Sequence, residues 1–79
     1  MTTEGLEGKL GRVTGTVRPD HIGEVMLAVG NRVEAYYALA FDGKETIDRG
    51  TECVVVESHP RLSRTVLVTA MPANDPIDQ

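Results

Sequence analysis

An all-β fold, a small closed barrel of five strands with at most one short helical turn, is predicted by three observations on this sequence. Turn-forming residues recur along it, at Pro19-Asp20, Gly23, Gly30-Asn31, Asp42-Gly43, Gly50 and Pro60. The pieces between them are rich in valine and of strand length. None leaves room for a helix of more than about one turn.

Residues 1–7 are polar and without period, so they form a tail or linker, and the barrel domain is placed at residues 8–71. The first strand spans 9–17, and Gly8, Gly11 and Gly15 mark bulges or corners where a barrel strand bends. Pro19-Asp20 turns the chain, since proline presets φ and aspartate bonds nearby amides. The second and third strands are 22–29 and 32–40. Val25, Leu27 and Val29 alternate with Glu24, Met26 and Ala28, and Val33, Ala35, Tyr37 and Leu39 alternate with Arg32, Glu34, Tyr36 and Ala38. Both more apolar sets are odd-numbered. If both face one core, opposed residue numbers sum to an even value, which excludes a two-residue Gly30-Asn31 loop and predicts an odd loop or a bulge.

Asp42-Gly43 makes the next turn. Residues 45–49 can form one helical or 3₁₀ turn ended by Gly50. Strand four is 52–58 and strand five 64–70, joined through His59-Pro60-Arg61-Leu62-Ser63. Residues 72–79, rich in Pro, Asp and Asn, have little to bury and are expected to be disordered. Five short strands in ~60 residues fit a Greek-key barrel of the oligonucleotide/oligosaccharide-binding (OB) type, with an SH3-like barrel as the alternative.

Composition narrows function more by exclusion than by assignment. A chain of 79 residues is one domain, and a domain of this size buries only ~60% of its unfolded surface. A single cysteine, Cys53, excludes an internal disulfide and favours a reducing, cytoplasmic setting. The net charge is −4 and the eight lysines and arginines are scattered, a poor electrostatic footprint for nucleic acid. The apolar stretches at 25–29 and 35–41 fall far short of the ~20 residues that cross a bilayer. Residues 1–8 lack signal-peptide character.

Individual residues point the same way. Tyr36 and Tyr37 are adjacent in a strand and must face opposite sides. Tyr37 belongs to the core set, leaving Tyr36 to cover Met26, which is too few aromatics for base stacking. His21 and His59 cannot complete a zinc site, because Cys53 shares the inward set with Val55, and no metal or cofactor is expected. The carboxylates Glu24, Glu34, Asp42, Glu45, Asp48, Glu52 and Glu57 are spread as on a solvated face rather than paired for acid–base work. Neither Ser58 nor Ser63 lies in a nucleophile turn that Lys9 or Lys44 could serve. No catalytic residue is assigned. Arg61 and Arg64 with Arg12 and Arg18 can form a modest basic spot that reads as ordinary surface.

The series Leu10-Gly11, Val17-Arg18-Pro19, Gly23-Glu24-Val25, Gly30-Asn31-Arg32-Val33-Glu34-Ala35, Ile47 and Gly50-Thr51-Glu52-Cys53-Val54-Val55-Val56-Glu57 resembles the C-terminal soluble domain of NfeD-like membrane proteins. The resemblance covers roughly residues 6–68 and implies an OB-type barrel carried by N-terminal transmembrane helices, so that residues 1–7 lead from a membrane anchor. It also implies stomatin-, flotillin- or prohibitin-like scaffold partners and a role in regulating membrane proteases. The ClpP-like protease region of longer members is missing, so peptidase activity does not carry over. Cys53 stands where that pattern has an aliphatic residue, in keeping with a core position.

The leading expectation is a non-catalytic protein-interaction domain, membrane-associated through the full-length protein and facing the cytoplasm. Its contact surface is placed on the outward face of the central hairpin, at Met26, Ala28, Tyr36 and Ala38. The alternative is a single-stranded nucleic-acid module, and a third reading is self-assembly through unpaired strand edges.

Overall fold

The computed structural model describes residues 5–71. It contains β1 (Leu10–Gly15), β2 (Gly23–Val29), β3 (Arg32–Ala40), β4 (Glu52–Ser58) and β5 (Thr65–Ala70). The strands close into a barrel in the order β1-β2-β3-β5-β4, with β4 returning to β1. Only the β3–β5 pair is parallel. This is the OB-type arrangement rather than the all-antiparallel SH3-like one.

The core is built from valines. Val13, Val17, Val25, Val55, Val66 and Val68 are buried with Leu27, Ile47 and Cys53 at its centre. Branched side chains suit this interior because they pack well between pleated neighbours. Two glycines allow β1 and β2 to approach. A β-carbon on Gly23 would strike the Gly15 carbonyl, Val17 Cγ2 at 2.6 Å and the Thr16 carbonyl at 2.7 Å. One on Gly11 would strike the Leu27 side chain and the Met26 carbonyl. The β1–β2 register shifts between Val13 and Gly15, which bends β1 at the barrel corner.

Three expectations are corrected. Val29 pairs directly with Arg32, so the central hairpin has the two-residue Gly30-Asn31 loop. Gly30 has φ +66° while Asn31 does not have positive φ. That combination marks a type II′ turn, whose twist matches the flanking strands. Opposed residues therefore sum to an odd number, as in Val25↔Tyr36 and Gly23↔Ala38, and the even-numbered side of β3 faces the core. Tyr36 is 8% exposed and Ala38 and Ala40 are buried, whereas Tyr37 is 56% exposed. The two tyrosines exchange the places expected of them. Both faces of β3 are apolar beyond residue 35, so alternation has little contrast there and the turn sets the register.

The second correction concerns residues 45–49, which form no helical turn. Ile47 instead makes an isolated bridge to Val17, with Val17 N–H donating to the Ile47 carbonyl at 3.0 Å and Ile47 N–H to the Val17 carbonyl at 2.9 Å. The bridge carries Ile47 into the core, where burial outweighs the local preference for a turn. The third concerns Leu6, placed in the tail by its neighbours but buried at 5% exposure. Gly8 N–H donates to the Val55 carbonyl at 2.8 Å and holds this segment against β4. The disorder expected at 72–79, like the tail at 1–4, lies outside the described residues.

Candidate functional site

Two loops meet over one end of the β2–β3 surface. In the β1–β2 loop, Arg18 and His21 exchange backbone hydrogen bonds of 3.2 and 3.1 Å around Pro19-Asp20. This closes the predicted turn and leaves Ile22 46% exposed where β2 begins. The β4–β5 loop is organised by His59, whose Nδ1 accepts the Arg61 and Leu62 N–H groups, both at 3.0 Å. An imidazole nitrogen used this way satisfies two amides, as a side chain at a helix N-cap does. Leu62 is thereby held at the loop tip, 45% exposed. Arg64 then adopts φ +52°, the only described non-glycine residue with positive φ. Its carbonyl receives Tyr37 N–H at 2.8 Å, docking the loop on β3.

Ile22, Tyr37 and Leu62 border a depression of about 550 Å³. Glu24, His21 and Ser63 supply its polar rim. Loops in these two positions, with the β2–β3 face, form the ligand surface of OB barrels. Three large apolar side chains from separate chain segments converge on it. An aromatic and two aliphatic anchors with a polar rim suit the capture of apolar side chains from a partner. Among the described residues, no group of three or more His, Cys, Asp or Glu side chains is placed to hold a metal ion.

The predicted contact surface is only half outward. Met26 and Ala28 face solvent at least in part, but Tyr36 and Ala38 point into the barrel, because the II′ turn fixes the opposite face of β3. Their places on the outer face are taken by Leu10 and Val33, both exposed. Together these four line a shallower depression of about 330 Å³ beside Arg12 and Glu52.

Two arginines of the predicted basic spot, Arg12 and Arg64, have their own partners. Arg12 donates to the Gly50 carbonyl at 3.2 Å and lies 3.8 Å from Glu52. Arg64 donates to the Ala35 carbonyl at 2.6 Å and covers the Tyr36 ring. Tyr36 donates its hydroxyl to Glu34 at 3.2 Å. Burial, with this bond to a carboxylate, raises its pKa above the ordinary phenol value. Cys53, buried as expected, has its thiol pushed up to about 11 by desolvation.

Ile22 and Leu62 are the site residues that sequence reading does not single out. Ile22 reads as the first residue of a strand. The one signal for Leu62 is a large aliphatic residue isolated within the polar turn His59-Pro60-Arg61-Leu62-Ser63.

The sequence matches the family described as the NfeD C-terminal domain over residues 10–69. Among proteins of curated function, none matches it significantly. The fold is similar to the solution structure of the soluble domain of the NfeD protein YuaF from Bacillus subtilis. That match has a TM-score of 0.68 and 31% identity, and covers 82% of this chain and 73% of that one. With the match spanning the barrel from β1 to β5, the chain belongs to the NfeD C-terminal domain family.

Proposed function

We propose that this barrel is a non-catalytic protein-interaction domain of a membrane-anchored NfeD-like protein. In this reading it docks through the groove between the β1–β2 and β4–β5 loops onto a stomatin-, flotillin- or prohibitin-like scaffold, or onto a membrane protease that it regulates. The observation that carries the reading is the convergence of exposed Ile22, Tyr37 and Leu62 around one depression. Exposed apolar surface costs solubility and is retained where a partner covers it. Family membership supports the membrane setting, and the partner class rests on the resemblance.

The test is a crosslinking pull-down from host membranes with the domain and its natural upstream segment, read by mass spectrometry. A scaffold or membrane protease should be enriched by the wild type and lost with Tyr37→Asp or Leu62→Asp. Both side chains are exposed, so both variants should stay folded. Equal recovery by all three proteins refutes the groove.

A second reading has one observation in its favour. The groove lies where OB barrels hold oligonucleotides, and Tyr37 offers an exposed ring to stack on. Glu24 at the rim and the net charge of −4 oppose it. Retention on single-stranded DNA at ~50 mM salt, where phosphate contacts are strongest, would favour this reading, and free elution removes it.

A further inference from the structure

The structure leaves half of one strand edge open. β3 pairs with β2 along Arg32 to Ala38, but with β5 only from Tyr37 onward. On its other side, residues 32–36 carry no strand among the described residues. Hydrogen bonds alternate in an antiparallel ladder. With Val29 and Arg32 as the bonded pair next to the turn, the backbone groups of Val33 and Ala35 point away from β2 toward this open edge. Arg64 covers the Ala35 carbonyl, while Val33 is 64% exposed.

We propose that this edge pairs antiparallel with the same segment of a second copy of the chain, centred on Val33. Charge selects the occupant and the register. Arg32 and Glu34 flank Val33 and form a 2.6 Å ion pair within the chain. An antiparallel match with Val33 opposite Val33 sets each Arg32 against the second copy's Glu34, twice over. Shifting to Val33 opposite Ala35 sets Glu34 against Glu34, which repels. Centring on Ala35 displaces the Arg64 cap. Only the Val33 register satisfies both charge and backbone.

Packing agrees with that register. Ala28 is paired with Val33 across β2–β3, and Leu10 lines the same depression. In the dimer the apolar row Leu10, Ala28, Val33 continues without a break into its symmetry mate. The contact is a closed, isologous two-fold rather than a growing fibre, since among the described residues no other strand leaves an edge of this length unpaired. A short two-strand contact lies below the usual area of a stable interface. Dimerisation is accordingly weak in dilute solution and favoured when chains are concentrated by a shared membrane.

The test is sedimentation equilibrium of the full chain from micromolar to millimolar concentration, with thermal melts to establish folding. Wild type should show concentration-dependent dimerisation. Arg32→Glu should weaken it about tenfold or more, as two attractive cross-strand pairs become repulsive. Arg32→Glu combined with Glu34→Arg should restore it. A Val33→Cys variant should form a disulfide dimer on mild oxidation, because opposed bonded residues lie about 5.5 Å apart at Cα, within disulfide reach. Buried Cys53 does not compete. A strictly monomeric wild type, association unchanged by Arg32→Glu, or a Val33→Cys chain that stays monomeric on oxidation each overturns the proposal.

Discussion

The guanidinium of Arg64 lies over the ring of Tyr36, with its central carbon 4.6 Å from the ring centroid. The same side chain donates to the Ala35 carbonyl, so one residue of the β4–β5 loop covers both the face of a core tyrosine and the open edge of β3. It does so from a left-handed backbone conformation that disfavours any side chain. Two opposed terms therefore meet at one position, and substitution separates them. Arg64→Ala removes the stack and the hydrogen bond while keeping the strained backbone, and should lower stability by about 1–2 kcal/mol. Arg64→Gly loses the same contacts but relieves the backbone, and should be less destabilised than the alanine variant by roughly 1 kcal/mol. Urea unfolding of the pair reads the difference directly.

Gly23 is predicted to tolerate no side chain. Its missing β-carbon leaves room for the Val17 methyl and for two backbone carbonyls of the β1–β2 corner. Gly23→Ala should cost about 3 kcal/mol. Gly30→Ala meets nothing within 4 Å and should cost about 1–2 kcal/mol, from its positive φ alone. Thermal melts should rank the two in that order, with each kcal/mol worth about 4–8 °C in a domain of this size.

Alkali should unfold the domain earlier than exposed groups alone would. Cys53, with its thiol pushed up to about 11, and Tyr36, raised above 10.0, are both neutral in the fold. Each is easier to ionise when unfolded. Their contribution is thus complete below the unfolded values and is lost as pH rises through the folded ones. Stability measured by denaturant midpoint should be flat through neutrality and fall from about pH 9 upward. Cys53→Val should flatten part of that fall. Native protein at neutral pH should resist thiol alkylation until it is unfolded.

Much of the barrel is legible in the sequence, for reasons that can be named. β3 and β4 fall at 32–40 and 52–58 as the turn residues predict, because Gly30-Asn31, Asp42-Gly43 and Gly50 can do little else. The inward set of β2, and of β4 at Cys53 and Val55, follows from plain alternation. The face of β3 does not, since a strand apolar on both sides carries no contrast and a single φ at Gly30 overrules it. That reversal moves Tyr36 and Ala38 indoors and leaves Met26 and Ala28 as the part of the predicted surface still on the outside. The groove was illegible for a different reason. Ile22, Tyr37 and Leu62 are brought together only by closure of the barrel, and no local spacing encodes that.

His59 should matter more to the groove than to the fold. His59→Ala leaves the Arg61 and Leu62 amides to water at an exposed loop, at a cost of about 0.5–1 kcal/mol. Loop order should suffer more, and amide exchange at residues 61–63 should accelerate while that of β2 and β3 is unchanged. His59→Asn, whose side-chain oxygen can accept from the same amides, should recover much of the protection.

Leu6 belongs to the folded core although its neighbours in sequence are polar. Leu6→Ala should cost about 2–5 kcal/mol, the range for truncating a buried leucine. A chain beginning at residue 8 should lose at least as much, measured as a shift in the urea midpoint.

β4 lies between β1 and β5, with Leu10 opposite Val54 on one side and Ala70 opposite Cys53 on the other. The first and last strands therefore flank β4 at adjacent rungs, about 10 Å apart across two strand spacings. A barrel whose first and last strands lie this close can be spliced into a surface turn of an unrelated host, or have those strands linked and be reopened at Asp42-Gly43, with its interior wiring unchanged.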